Sequence, residues 1–481
     1  MTMLESLPVA IVGAGPVGLA AAAHLIRRGI PVKVYEADRT VAASVRDWGH
    51  VRLFSPWEYN IDAAARDLLK STGWQEPPGK AMPTGNDLYE RYLKPLAGIP
   101  EMAASIETGA MVTAITRHGA DKVLSKGRET KPFVLAISDG NGTIRRDLAR
   151  AVIDASGTWT TPNPLGAGGI PAEGETELST HIAYGIPDVL GRDRAAYEGK
   201  TTLVVGAGHS AANVLLDLAR LEQRDHRTSI IWATRGTNLM RVYGGGRTDQ
   251  LPARGELGSS LKRLIDSGRI TLVAGFSAIR VGAVGERVVV EGETTDGHRE
   301  IGPLDRIIVA TGQRPDLSLT RELRLDLDPW LESAKALGPL IDPNIHSCGS
   351  VPPHGHRELA HPEPGFYTVG IKSYGRAPTF LMLTGYEQVR SVVAAIAGDI
   401  AAADDVRLIL PETGVCSTNL ASDGAAVSTD CCGGPAPATV GACCVADAEA
   451  KTQGQNGCGC GPIDAQSRTR PEKIAERADC C

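Results

Sequence analysis

The chain has 481 residues, which gives room for two or three domains. Its 50 lysines and arginines against 56 aspartates and glutamates leave a net charge of −6, which argues against a dedicated nucleic-acid binder. Of its ten cysteines only Cys348 lies before residue 416. This excludes a secreted disulfide scaffold, because such a scaffold distributes its cysteines through the fold. The composition indicates a soluble body joined to a thiol-rich segment.

The first residues predict neither an export signal nor a membrane span. Met1 to Leu7 lacks a basic region, and glycines, Pro16 and His24 interrupt the apolar stretch from Val9 to Ile26. We therefore expect a cytoplasmic protein with reduced thiols and no membrane partner.

Short β-rich runs alternate with helical stretches along the chain. This alternation predicts an α/β fold with parallel sheets covered on both faces. Two predicted helices, Gly18–Arg28 and Ser210–Gln223, each lie between the strands of a βαβ unit. The predicted strands are Pro8–Val12, Pro31–Tyr35, Ala151–Asp154, Thr201–Val205, Ser229–Ala233, Arg287–Val290, Asp305–Ala310 and Phe366–Val369.

A glycine-rich turn, Gly13-Ala14-Gly15-Pro16-Val17-Gly18, follows the first strand and opens the first helix. Gly13 allows the tight turn, Gly15 lets the backbone approach a pyrophosphate, and Gly18 permits close packing of helix on strand. Free amides at the helix start attract the anion. Glu36 ends the second strand and can accept hydrogen bonds from a ribose. The pattern predicts a dinucleotide site.

The same turn recurs as Gly206-Ala207-Gly208-His209-Ser210-Ala211, with alanine at the third small position. Arg235 follows the next strand, where the first site has an acid. A cation there suits a 2′-phosphate and favours NADP over NAD, with a solvated surface arginine as the alternative. His209 is expected near the phosphates and not as a catalytic base. Two such folds predict FAD at one site and NADPH at the other, so that hydride can pass between them.

On these loops and four further segments the chain resembles the two-dinucleotide-binding flavoproteins, and within them the flavin monooxygenases of the Baeyer–Villiger and N-hydroxylating type. The segments are Trp48 to Pro56, Met82 to Thr84 before a helix at Asp87–Leu96, Asp154 to Trp159, and Ala310 to Gly312.

The resemblance covers about residues 7 to 400. It implies two Rossmann-like domains, an FAD-binding domain of residues 1–165 and 302–405 and an NADP-binding domain of residues 166–301. It also implies cofactor contacts at Trp48, Gly157, Thr311 and Gly312, in addition to the two glycine turns.

Two positions depart from this family's pattern. The monooxygenases carry a Phe-x-Gly-x-x-x-His element before the second turn, whereas this chain has His181 but places Glu175 and Glu177 at the phenylalanine and glycine positions. Their late FAD-binding strand ends in Gly-Asp, whereas here Ile371 follows Gly370. We retain Gly370 as a cofactor contact and expect the run from Lys372 to Pro378 to supply flavin contacts through backbone amides.

A tail at residues 406–481 is predicted to be disordered when unliganded, because it has too few branched apolar residues and phenylalanines for a packed core. Adjacent cysteines lie about 3.8 Å apart, below the roughly 4.4 to 6.8 Å of an ordinary disulfide, so they suit chelation of a soft ion better than a staple. The spacing between pairs does not match a zinc finger. With Cys416 left over, the predicted ligands are Cys431, Cys432, Cys443, Cys444, Cys458, Cys460, Cys480 and Cys481.

Arsenite, antimonite, mercury and copper(I) all suit such dithiols. The run from Cys431 to Pro435 resembles cysteine-pair tails on proteins of arsenic-resistance operons, which also encode flavin monooxygenase-like proteins, so an arsenite-like substrate ranks first. A low-complexity tail with incidental thiols is the alternative. A second group, His346, Cys348, His354, His356 and His361, has metal-binding residue types, but its neighbouring prolines favour surface histidines.

The leading hypothesis is an NADPH-dependent FAD oxidoreductase of metalloid resistance. Its flavin either activates dioxygen or passes electrons to a thiol-bound metalloid, and the first branch is preferred because residues 1 to 347 contain no cysteine. The alternatives are a thiol module that sequesters metalloid while the body keeps its cysteines reduced, a reductase similar to mercuric reductase, and an organic oxygenase with a metal-storing tail. No catalytic acid or base is identified, and a homodimer is left open.

Overall fold

The computed structural model describes residues 4–243, 249–344, 351–378, 380–408 and 410–411. The described ranges contain no cysteine. The predicted tail is therefore described only as far as Pro411, and all eight predicted metal ligands lie outside the described residues.

The described chain forms sixteen strands. In chain order they are β1 Val9–Val12, β2 Val32–Glu36, β3 Ile106–Thr108, β4 Met111–Arg117, β5 Phe133–Ser138, β6 Ile144–Ala149, β7 Ala151–Asp154, β8 Ile182–Tyr184, β9 Thr201–Val205, β10 Ser229–Thr234, β11 Thr271–Ala274, β12 Ser277–Val284, β13 Arg287–Thr294, β14 Gly297–Leu304, β15 Arg306–Val309 and β16 Phe366–Thr368.

Twelve α-helical segments accompany these strands in the described ranges. They are α1 Pro16–Arg27, α2 Ala43–Asp47, α3 Ala63–Lys70, α4 Gly85–Leu88, α5 Lys94–Ala97, α6 Pro100–Ser105, α7 His209–Glu222, α8 Met240–Tyr243, α9 Pro252–Asp266, α10 Gly338–Ile341, α11 Met382–Ile396 and α12 Ile400–Asp404. A π-helical turn, Tyr89–Leu93, joins α4 to α5. Short 3₁₀ turns occupy Trp57–Tyr59, Ser179–His181, Arg194–Ala196, Ser318–Thr320 and Gly370–Tyr374.

The first sheet has the strand order β16, β7, β1, β2, β3, and all its pairs are parallel. Every residue of β1 is buried, which is why the strand reads as an unbroken apolar run. The apolar face of α1 packs into the same core as α3 and α11. This arrangement brings the carboxyl ends of β1 and β7 together at one edge, where a βα turn can receive a ligand.

The second sheet repeats this plan with the order β11, β10, β9, β15, β8, again wholly parallel. Helices α7 and α9 pack together against it. The strands predicted at Thr201–Val205 and Ala151–Asp154 are found with those bounds, and α1 and α7 begin one or two residues earlier than predicted. The expected α/β fold with two Rossmann-like sheets is confirmed, while the domain boundaries stay a prediction.

Two antiparallel sheets, which the strand–helix alternation did not predict, accompany the two parallel ones. Strands β4, β5 and β6 form one, and β12, β13 and β14 form the other. The run predicted at Arg287–Val290 is thus the first half of β13 in an antiparallel sheet. A two-residue turn joins β12 to β13, and Gly285 supplies its left-handed φ of 62°. The hairpin needs no crossover helix, so strand–helix alternation does not reveal it.

The helix predicted at Asp87–Leu96 lies within a continuous helical stretch of residues 85–97. Its start is fixed by a capping box, in which the Thr84 hydroxyl accepts the Asp87 N–H at 3.1 Å and the Asp87 carboxylate accepts the Thr84 N–H at 2.9 Å. Among the described helices, none has the length and apolar character required to cross a bilayer.

Candidate functional site

The turn after β1 contains two glycines that leave no room for a side chain and one glycine beside open space. Gly13 has a φ of 95°, and a Cβ there would lie 2.8 Å from the carbonyl oxygen of Ala155. A Cβ on Gly18 would lie 2.0 Å from the carbonyl oxygen of Gly13. Gly15, by contrast, has no atom within 4 Å of its Cβ position. The turn is thus closed towards the sheet and open on the side of Gly15.

Helix α1 starts at this open side with Pro16 in its first turn and Gly15 as its N-cap. Proline loses no hydrogen bond there, because the first amides of a helix have no acceptor inside it. No side chain caps this helix start. The uncapped amides, the positive end of the helix dipole and the open glycine form a cradle that fits a pyrophosphate.

Glu36 lies beside the same turn at the end of β2. Its two carboxylate oxygens accept the backbone N–H groups of Ala14 at 2.8 Å and Asp38 at 3.0 Å. Burial raises the pKa of Glu36 above its ordinary value, and these two hydrogen bonds oppose that shift. A carboxylate oxygen can accept more than one hydrogen bond, so a ribose contact remains compatible with this geometry.

The late strand β16 brings a buried ion pair to the same edge. Gly370, with a φ of 71°, packs against Val17, and its N–H donates to Gln388 at 2.8 Å. Lys372 is buried and places its Nζ 2.7 Å from Asp154 Oδ2 and 2.9 Å from Ser156 Oγ. The Lys372 side chain therefore turns inward, and it neutralises the carboxylate that ends β7.

Trp48 and Gly157 take different surroundings at this site. The half-buried indole of Trp48 lies against α4, since a Cβ on Gly85 would be 2.7 Å from its ring. Gly157 follows the β7 edge with a φ of 74° and has no atom within 4 Å of its Cβ position. Gly157 thus lies beside open space as Gly15 does, whereas the Trp48 ring packs against α4.

The second turn repeats the first in its essentials. Gly206 has a φ of 134°, and a Cβ there would lie 2.2 Å from the carbonyl oxygen of Ala310. Gly208 is open and is the N-cap of α7, whose first turn contains Ser210 and Ala211. The buried Trp232 indole of β10 donates to the Gly206 carbonyl oxygen at 2.7 Å and holds the turn against the second sheet.

Thr311 and Gly312 hold the two connections between the sheets together. The Thr311 hydroxyl donates to the carbonyl oxygen of Asn163 at 3.0 Å, and the Asn163 amide donates to the Thr311 carbonyl oxygen at 3.1 Å. Gly312 has a φ of 87°, and its carbonyl accepts the Asn163 N–H at 2.9 Å. These contacts tie the return strand to the outgoing chain beside the second turn.

Arg235 is exposed at the end of β10, in the position that Glu36 takes after β2. Its Nη1 donates to the carbonyl oxygen of Ala167 at 2.9 Å. Within the described ranges no carboxylate lies at ion-pair distance from this guanidinium. The end of β10 therefore carries an exposed positive charge.

Glu175, one of the departures from the monooxygenase pattern, organises the loop that Arg235 contacts. Its buried carboxylate accepts the N–H groups of Leu165 at 2.8 Å, Ala172 at 2.7 Å and Gly166 at 3.3 Å, and the hydroxyl of Tyr184 at 2.5 Å. The replacement of phenylalanine by glutamate thus comes with four donors for the charge. Sequence reasoning missed this role, because backbone amides leave no residue signature.

His209 begins α7 and packs against Phe54, with ring centroids 4.9 Å apart. Burial and the positive charge of Arg254 lower the pKa of His209 to about 4, and Asp249 opposes that shift. With a pKa of about 4 the imidazole is neutral near pH 7 and is a weak proton acceptor. That it is not a catalytic base stays a prediction.

The histidine group is dispersed among separate contacts. His354 is buried and faces Gln388, which corrects its expected surface position, while His356 contacts Asp404 and His361 contacts the N–H of Asp326. His346 and Cys348 lie outside the described residues. Over the ranges that are described, no cluster of three or more metal-ligating side chains is present.

Known proteins of two kinds are similar to this chain. It is 22% identical over 240 residues to a flavin-containing monooxygenase of Arabidopsis thaliana, covering 47% of this chain and 49% of that protein. It is 26% identical over 334 residues to a ferredoxin–NADP reductase of Salinispora tropica, covering 68% and 80%. The chain spans about half the length of the monooxygenases it matches.

A solved structure shares the fold at low sequence identity. The bacillithiol disulfide reductase of Bacillus cereus superimposes with a TM-score of 0.60 at 16% identity, covering 82% of this chain and 99% of that one. The model of the pyridine nucleotide-disulphide oxidoreductase family matches residues 10–335. The expected cofactors, FAD and NADPH, are confirmed. Since this match covers more than half of the chain, the protein belongs to the pyridine nucleotide-disulphide oxidoreductase family.

Proposed function

We propose that the protein is an NADPH-dependent flavin monooxygenase that oxidises a soft, thiol-bound substrate, with trivalent arsenic as the first candidate. One observation carries the proposal: the described body contains both nucleotide turns and no cysteine. A body of this kind can receive NADPH and FAD but holds no dithiol with which to reduce a disulfide. The oxygenase branch is therefore favoured over the disulfide-reductase branch.

The chemistry balances with dioxygen as the oxidant. FAD, when bound, accepts a hydride from NADPH and makes the electrons available to dioxygen. With one further proton, one oxygen atom is transferred to trivalent arsenic, which becomes pentavalent, and the other leaves as water. In this proposal the turn at Gly13–Gly18 and Glu36 hold FAD, whereas the turn at Gly206–Ala211 and Arg235 hold NADPH.

The position of Pro411 supports a role for the cysteine-rich segment. The carbonyl oxygen of Pro411, the last described residue, lies 3.5 Å from Arg254 Nη2, and the Arg254 guanidinium lies 5.9 Å from the centre of the Phe54 ring. Pro411 thus lies on the side of the body that carries Arg254 and Phe54. In this proposal, thiolates on the cysteine-rich segment that follows it would collect a soft metalloid and raise its effective concentration for the body.

The test measures NADPH oxidation and oxygen uptake together on the FAD-loaded full chain. An arsenite-dependent, equimolar consumption of NADPH and dioxygen with formation of arsenate supports the proposal. Undiminished turnover under nitrogen would overturn it in favour of a metalloid reductase. The absence of any substrate-stimulated turnover, combined with tight arsenite binding, would favour the sequestering alternative.

Replacing the eight paired cysteines by serine separates collection from chemistry. If the segment collects substrate, the apparent KM for arsenite rises by about tenfold or more while kcat is kept at saturating substrate. Loss of kcat at saturation would instead make the thiols part of the electron path.

A further inference from the structure

The loop of residues 52–60 belongs to the part of the molecule built on the first sheet, here called the first half, and it reaches the second nucleotide turn, which belongs to the half built on the second sheet. The buried Asn60 side chain donates to the carbonyl oxygens of Ser55 and Pro56, both at 2.8 Å, and accepts the Ser55 hydroxyl at 3.1 Å. The Tyr386 hydroxyl donates to the Asn60 carbonyl oxygen at 3.0 Å and ties the loop to α11. Trp57 anchors the same loop in the core of the first sheet.

Phe54 immediately precedes this clamp and makes a contact that joins the two halves. Its ring lies 4.9 Å from the imidazole of His209, with an interplanar angle of 47°. His209 follows Gly208 directly and is the first residue of α7. The contact therefore sits next to the uncapped amides of the second turn.

The opposite side of this contact is also held in place. The Arg254 guanidinium faces the Phe54 ring and forms a buried two-point ion pair with Asp249, at 2.8 Å for each hydrogen bond. Asp249 in turn accepts the N–H of Leu251 at 2.8 Å, next to the start of α9. The Phe54–His209 contact is thus supported from the first half by Asn60 and from the second half by this ion pair.

We propose that Phe54 and His209 are positioning residues that set the approach of the nicotinamide to the flavin. The inference rests on the proposed function, since it assumes NADPH at the second turn and FAD at the first. Hydride transfer requires reacting atoms about 3 to 3.5 Å apart, and a displacement of about 1 Å can cost on the order of a hundredfold in rate. A ring contact between the Ser55–Asn60 clamp and the N-terminus of α7 fixes the two nucleotide turns relative to each other.

Anaerobic stopped-flow reduction of bound FAD by NADPH tests this inference. Phe54→Ala should slow flavin reduction at saturating NADPH by about tenfold or more. FAD content and the affinity for NADP⁺, measured by calorimetry, should stay within about threefold, because neither glycine turn is altered. Phe54→Tyr should restore most of the rate, since it keeps the ring.

His209→Ala probes the same contact from the other side, and His209→Phe should restore the rate by replacing one ring with another. Trp330→Ala is the matched control, because it removes an aromatic side chain that is 79% exposed. Reduction at the wild-type rate in both alanine variants would overturn the inference, and so would a rate loss that follows FAD loss. If NADPH fails to reduce the wild-type flavin, the proposed function itself falls.

Discussion

The two nucleotide turns share one construction and differ in the residue that follows their second strand. At both, a glycine of positive φ lies under a carbonyl oxygen of the neighbouring strand end, and an open glycine caps the helix. The first site has Glu36 as the last residue of that strand, where it accepts backbone N–H groups, and the second has the exposed Arg235 directly after it. The glycine turn and open helix start, which both sites have, suit a pyrophosphate. The acid at one site and the arginine at the other suit a ribose hydroxyl and a 2′-phosphate, respectively.

The largest effect is expected where a side chain would meet backbone. Gly18→Ala places a Cβ 2.0 Å from the Gly13 carbonyl oxygen, so the turn must deform and the protein should lose about 1 to 3 kcal/mol of stability and most of its FAD. Melting temperature and the ratio of FAD to protein measure both losses.

Gly15→Ala is the control at the same turn, because no atom lies within 4 Å of its Cβ position. The apoprotein should melt as the wild type does, while FAD binds more weakly because the methyl group obstructs the cofactor. Equal destabilisation of the two apoproteins would contradict the distinction between the closed and open sides of the turn.

Arg235→Ser should convert the second turn towards the nucleotide that lacks a 2′-phosphate. Loss of a charge-assisted contact of about 1.5 to 3 kcal/mol raises the KM for NADPH by roughly 10- to 100-fold and leaves that for NADH nearly unchanged. Steady-state kinetics with both nucleotides measure the ratio. Arg299→Ser, at an exposed position of β14, should leave both constants alone, and an unchanged NADPH preference in Arg235→Ser would remove Arg235 from the site.

Both turns could be predicted from sequence, because a positive φ beside a carbonyl oxygen leaves glycine as the only fit. The contacts around them could not. Lys372 and Asp154 are 218 residues apart, and neither carries a local pattern that points to the other. The partners of Glu175 are mostly backbone amides, which every segment has. The antiparallel sheets were missed for a related reason, since three of the four connections between their strands are short and the strands alternate only in part.

Glu175→Gln tests whether the loop that Glu175 holds also positions Arg235 at the second site. An amide would aim N–H donors at existing donors, so the cost should be about 1 to 3 kcal/mol in unfolding free energy, measured by chemical denaturation. Because the carbonyl of Ala167 positions Arg235, the KM for NADPH should also rise, but by less than in Arg235→Ser. Tyr184→Phe removes one of the four donors and should show a smaller loss, whereas a larger loss there would place the main contribution in the hydroxyl.

The smallest effect concerns pH and belongs to the second turn alone, since the first has no histidine at its helix start. Burial and Arg254 hold the pKa of His209 at about 4, against Asp249, whereas in the unfolded chain it is about 6.5. The unfolded state therefore takes up the proton first, so stability falls as the pH drops from about 6.5 to about 4. His209→Phe should remove this part of the loss while keeping a ring against Phe54. Melting temperatures of both proteins between those pH values measure it, and parallel curves would mean that the histidine is not buried in solution.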